Sequence, residues 1–161
     1  MKKENKAKKK ENPKKRFSAS EAGLAFKHGF YLETVWILSM ILEKKTKNYL
    51  SQIDATYDIQ GFSFEQCISR IRYLHKAGRI PAIGKHIDIV LIDGMRKWKS
   101  TRNKMLKDMI LVHVSQTRME RVALDGIALY KKWNKALKNI KNEIRDQTKK
   151  EELKNNEVAG K

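Results

Sequence analysis

The sequence predicts an all-α fold, a bundle of four to five helices. Apolar residues recur at three- and four-residue steps through four long segments. Three of those segments open on Ser or Thr with Glu or Gln three residues later, the spacing of a capping box. No alternating apolar and polar runs flank a two-residue turn, so nothing signals a β-hairpin.

The first helix opens at Ser18, with Glu21 three residues on, and carries the apolar row Phe26, Phe30, Tyr31, Val35, Leu38, Leu42, Tyr49 and Ile53. Gly23 and Gly29 divide it into a short lead-in and a main helix over residues 31–53. Residues 54–62, with Asp58 and Gly61, read as a loop. A second helix opens on the Ser63/Gln66 pair, carries Phe64, Cys67, Ile68, Ile71 and Leu74, and stops at Gly78, a favoured residue just past a helix end. Pro81 follows and suits either a stop or a first helical turn.

The third helix starts at Ala82 or Lys85, runs to Ile110, and carries Ile87, Val90, Leu91, Met95, Trp98, Met105, Leu106, Met109 and Ile110. The β-branched residues 110–114 either continue it or form an extended link. The fourth opens at Thr117 with Glu120 and runs to about Gln147, its row being Met119, Val122, Ala123, Ile127, Tyr130, Trp133 or Asn134, Leu137, Ile140 and Ile144. Trp36, Trp98 and Trp133 all fall in apolar rows and are assigned to the core. The expected organisation is a disordered basic arm over 1–16, a bundle domain over 17–148 and a disordered tail over 149–161.

The chain of 161 residues carries 36 Lys and Arg against 18 Asp and Glu, a net of +18. Residues 1–16 hold nine basic and two acidic side chains, so +7 lies in the arm and +11 in the other 145 residues. A basic body points to a polyanion partner, and its Lys-rich character points to phosphate contacts without base specificity. The alternative is a charge that serves solubility alone.

Cys67, the single cysteine, excludes an intrachain disulfide and reads as a small buried apolar residue. No apolar run is long enough to span a bilayer, and no apolar stretch follows the charged N-terminus as in a secretory signal, so the expected location is cytoplasmic, with no membrane role. HExxH, CxxC, GxSxG and a phosphate-cradling glycine loop are all absent, and the four histidines are scattered one per segment. No metal and no cofactor are expected.

The exception to the apolar pattern is Arg102, which falls in the third helix's row four residues after Trp98 and three before Met105. A guanidinium stays charged, so burying it requires a carboxylate, a carbonyl or a polar seam between subunits. Glu33 and Asp88 are the candidate carboxylates.

The order of elements around Arg102 is a long first helix with the Lys-rich turn Leu42-Glu43-Lys44-Lys45-Thr46-Lys47, a short helix from Phe64 closing on Gly78, a long helix ending Trp98-Lys99-Ser100-Thr101-Arg102-Asn103, and a closing fourth helix. Over about residues 25–145 this arrangement resembles the HEPN superfamily, small four- to five-helix bundles of toxin–antitoxin, abortive-infection and RNA-processing systems. The resemblance implies a homodimer. Active members are metal-independent ribonucleases in which Arg, a polar residue and, after three more residues, His line a cleft shared by two protomers.

Arg102 and Asn103 match the first two motif positions, but Lys107 stands where the family has its proton-transferring His. His113 returns to about the same helix face, ~16 Å further along the axis if the helix is unbroken. Arg70 with His75, and Arg79 with His86, are looser matches elsewhere. The expected function is therefore RNA binding without cleavage, within a defence or toxin–antitoxin system, with an antitoxin or other protein as a further partner. Arg96, Lys97, Lys99, Arg102, Lys104 and Lys107 would contact phosphate. The alternatives are an endoribonuclease using Arg102, Asn103 and Lys107 or His113, and an adaptor bundle with no nucleic-acid role.

Overall fold

The computed structural model describes residues 17–54, 58–59 and 61–159, which form six α-helices and no strand. The expected basic arm, residues 1–16, lies outside the described residues. α1 (Ala19–Lys27) and α2 (Tyr31–Ile53) are the two halves of the first predicted helix. The break falls at Gly29, whose φ of 77° is open to glycine at little cost, while Gly23 stays helical. α3 (Phe64–Ala77) ends on Gly78 at φ 61°. Two of the three expected capping boxes, Ser18 with Glu21 and Ser63 with Gln66, are formed in full, whereas the third is not, Thr117 lying inside the last helix.

The third predicted helix is instead two: α4 (Pro81–His86) and α5 (Ile89–Leu111). Asp88 turns the chain, its carboxylate accepting from the Leu91 N–H to cap α5, while Ile87 stays extended and fully buried. Val112 is extended too, so residues 112–115 form a link rather than more helix. α6 (Gln116–Ala159) starts one residue before the predicted Thr117. Its cap is Ser115, whose hydroxyl accepts from the Arg118 N–H at 3.3 Å. α6 also runs on as helix through Ala159, where the sequence suggested a disordered tail from 149. The run from Lys149 to Ala159 holds mostly good helix formers and no Gly or Pro, so a helix already nucleated and anchored simply propagates.

α2 and α6 are the bundle's axis. α2 packs against α1, α3 and α6, while α6 also packs against α4 and α5. Leu38, Leu42 and Leu50 of α2 meet Trp133 and Ile140 of α6 in one core with Ile68, Ile71, Ile83, Ile92 and Met95. Thr34 and Thr46 enter that core by donating to the carbonyls of Phe30 and Leu42, at 3.0 and 2.8 Å. Tyr49 and Trp133 meet edge-on there at 6.5 Å, and their Oη and Nε1 have no hydrogen-bond partner among the described residues.

α5 and α6 pack closely at Gly126. A Cβ there would lie 2.7 Å from Trp98 Cζ2 and 3.0 Å from Leu38 Cδ1. The indole cannot swing away, because its Nε1 donates to the Val122 carbonyl at 2.9 Å. Two of the three tryptophans, Trp98 and Trp133, are buried as expected, whereas Trp36 is 62% exposed, a correction to its assignment to the core.

Gly126→Ala is expected to destabilise the bundle by roughly 1–3 kcal/mol, overriding the helix-propensity gain of ~1 kcal/mol. Gly94→Ala meets only Leu129 Cδ1 at an ordinary 3.6 Å and is expected to keep that gain. Thermal melts should therefore move in opposite directions, by about 2–4 °C per kcal/mol.

Candidate nucleic-acid interface

Arg102 sits one helical turn beyond Trp98, on the stretch of α5 that Trp98 has already fixed against α6. Its guanidinium lies 5.8 Å from the Trp98 ring centroid. Nε and Nη2 both donate to Asn103 Oδ1, at 3.1 and 2.8 Å. Burial lowers the guanidinium's pKa, and the charge of Glu43 partly offsets that. Glu43 is itself bridged to Lys47 at 2.9 Å. Neither candidate carboxylate serves Arg102: Asp88 caps α5, and Glu33 lines a groove at the N-terminal end of α2. A neighbouring amide oxygen and an aromatic face hold this arginine, which leaves it free to meet an external anion.

The basic residues expected around it divide into two groups. Arg96 and Lys99 share Glu65 of α3, at 2.7 and 3.0 Å, and Arg96 also donates to Ser69 Oγ at 3.1 Å. They tie α5 to α3 and are already engaged. Lys97, Lys104 and Lys107 are exposed and form no ion pair among the described residues. Lys97 lines a cleft of about 280 Å³ between α5 and α6, with Thr101, Asp125 and Lys132.

Of the residues the ribonuclease alternative would use, Arg102, Asn103 and Lys107 lie on α5 and His113 does not. α5 ends at Leu111, so His113 lies in the following link and leaves the helix face that an unbroken helix would have given it. It lines a groove of about 690 Å³ with Phe30, Glu33, Met109 and Met119, and Arg102 is not among that groove's lining residues. Lys107 is exposed and forms no ion pair among the described residues. The looser matches are structural: Arg70 bridges Asp54 at 2.6 Å and lies over Tyr73, and His86 Nε2 meets Glu143 Oε2 at 2.6 Å. Burial pushes the Cys67 thiol's pKa up, as befits an apolar core residue. Among the described residues no group of three or more His, Cys, Asp or Glu is placed to hold a metal ion. No helix among them is long and apolar enough to cross a membrane.

Two features went unread in the sequence. His86 and Lys85 both bind Glu143, docking α4 on α6; a contact between residues 57 apart leaves no local signal. Leu32, Trp36 and Met40, spaced by four along α2, are all exposed and form an apolar stripe. Their spacing was visible, but it matched that of a core row. Leu32 shares the His113 groove with Met109 of α5, and exposed Ile110, Leu111 and Val112 follow Met109. Comparison of the chain with protein-family models, curated proteins and solved structures finds no match.

The Glu65 carboxyl is held below its ordinary pKa range by hydrogen bonds from Lys99 and then Arg96, against the opposing effect of partial burial. The same holds for Glu143, through His86 and then Lys85. A carboxylate whose folded pKa is depressed contributes stability that is complete above its unfolded value, ~4.3, and is lost as pH falls through the folded value. Glu65→Gln and Glu143→Gln should therefore melt lower than wild type at about pH 7. The gap should close as pH drops below ~4, and melting curves recorded across that range check it.

Proposed function

We propose that this protein binds RNA through its phosphates, without cleaving it, as a HEPN-like bundle that pairs with a second copy across the α2–α5 face. The observation that carries the reading is Arg102: half-buried, oriented by Asn103 and the Trp98 ring, and bound to no carboxylate among the described residues. Lys104 and Lys107 stand exposed on the same helix. A preorganised guanidinium beside exposed lysines suits a phosphate oxygen, and the carboxylate whose charge reaches it, Glu43, is already paired with Lys47. The separation of His113 from Arg102 within the chain favours binding over catalysis.

Pairing rests on the exposed stripe Leu32, Trp36 and Met40. Tryptophan at this exposure is the kind of anchor that dominates protein interfaces, and a self-complementary patch suits a two-fold dimer. The defence or toxin–antitoxin setting, a cytoplasmic location and an antitoxin partner rest on the family resemblance alone.

Two measurements test this reading. A labelled structured RNA should shift at low salt and lose affinity steeply as salt rises. Arg102→Met, which keeps the packing on Trp98, should weaken binding by about tenfold, the loss of ~1.4 kcal/mol expected for a charged contact. The RNA should stay intact in EDTA with wild type and variant alike; cleavage that Arg102→Met abolishes would establish the ribonuclease instead. Absence of any shift at low salt would leave the adaptor reading. In light scattering the wild type is expected at twice 18.8 kDa, and Trp36→Glu at the single-chain mass.

A further inference from the structure

α6 presents a second cationic surface, away from Arg102. Lys131, Lys135, Lys138, Arg145 and Lys149 are all exposed, and steps of four, three, seven and four place them on one helix face. That face is opposite Trp133, Ala136 and Ile140, which are buried in the core. At 1.5 Å per residue the stripe extends ~27 Å along the axis.

Between residues 131 and 150 little on the helix neutralises it. Of the two carboxylates between residues 131 and 150, Glu143 is taken by His86 and Lys85, and Asp146 lies 3.7 Å from Arg145. Lys131, Lys135, Lys138 and Lys149 form no ion pair among the described residues. Like charges at i, i+4 destabilise a helix by a few tenths of a kcal/mol per pair, so a surface built from them is relieved when it meets a polyanion.

The chemistry of the stripe selects the polyanion. A membrane-lying helix interleaves its cations with large apolar side chains that enter the bilayer. Here the position within the stripe between Lys138 and Arg145 is Asn142, Ile144 projects from the far side of the helix, and the exposed Leu124, on the same face, stands seven residues before Lys131 and outside the stripe. Cations four or three residues apart stand ~4.5–6 Å apart along the axis, and Lys138 and Arg145 ~10.5 Å apart, so that each can meet a different phosphate of one strand. We infer that the α6 stripe of Lys131, Lys135, Lys138, Arg145 and Lys149 is a phosphate-tracking surface that lies along the sugar–phosphate backbone of RNA without reading its sequence. The inference rests on the RNA-binding reading and adds a second site of contact to it.

The test is a salt titration of the full chain with labelled oligouridylate, comparing wild type with K131Q/K135Q/K138Q, K131R/K135R/K138R and K97Q/K104Q/K107Q. Each single-strand phosphate contact contributes about 0.7 to the slope of log affinity against log salt. The α6 Gln variant should lose about 2 from that slope and bind more weakly at low salt, and the Arg variant should keep the wild-type slope. Circular dichroism confirms equal helix content. An α6 Gln variant that binds like wild type overturns this inference alone. A wild type that does not bind overturns the RNA reading and this inference with it. Vesicles containing phosphatidylserine provide the remaining arm: binding that the α6 Gln variant loses there, with RNA affinity unchanged, assigns the stripe to a membrane and overturns it.

Discussion

The close approach of α5 to α6 at Gly126 is the constraint on which the rest depends. The Trp98 ring fills the space a side chain would take, and its Nε1 is fixed to the Val122 carbonyl one turn earlier on α6. Leu38 of α2 reaches the same point, so three helices are referenced to one glycine. Interiors packed to crystal density transmit such a constraint rather than absorb it. The indole sets the rotation of α5 about its axis, and that rotation determines where every later residue of the helix points. Arg102, one turn on, is thereby placed over the ring at the border of the core instead of in open solvent.

Charge is distributed by the same logic. Four carboxylates of the bundle stand at seams between helices: Glu65 joins α3 to α5, Asp93 of α5 takes Arg72 of α3, Asp108 of α5 takes Arg118 of α6, and Glu143 of α6 takes His86 of α4. These pairs are part-exposed and individually weak, so they align helices more than they stabilise them. With the carboxylates committed to seams, the surplus of Lys and Arg falls on outward faces. Net charge of this size opposes compaction through self-repulsion. The apolar core anchored on Trp133 and Trp98 supplies the cohesion that lets the surface carry it.

What was legible in the sequence was local. Capping boxes at Ser18 and Ser63, the left-handed glycines Gly29 and Gly78, and the apolar rows of α2 and α6 each depend on residues within a turn or two, so spacing alone revealed them. The caps at Asp88 and Ser115 were missed because neither has Glu or Gln at the third position to complete the box; Leu91 and Arg118 stand there. Without the cap at Asp88, α4 and α5 read as one helix, and without the end at Leu111, His113 read as a return to the face of Arg102. Trp36 was misassigned for a different reason. α2 is apolar on more than one face, and periodicity cannot tell a face turned to the core from one turned away. Arg102 stood out correctly as an anomaly, but its partner could not be read. A bond to the next residue's amide leaves no spacing signal, and the electrostatic influence of Glu43 comes from a distant helix.

The two unusual features of the α2–α5 face bear on one another. The exposed stripe Leu32, Trp36 and Met40 gains by being covered, whereas Arg102, already half-buried, loses whatever solvation remains when it is covered. In a two-fold pairing through this face each copy presents its own guanidinium to the seam, and their repulsion grows as water leaves, because the effective dielectric falls. Hydrophobic cover and cationic desolvation therefore oppose each other unless an anion enters between the two copies. A phosphate accepts from two guanidiniums at once and turns the repulsion into a pair of charge-assisted hydrogen bonds. On the RNA-binding reading, pairing and anion capture are thus not separate properties of this face. Each strengthens the other by the same coupling free energy, in either order of binding.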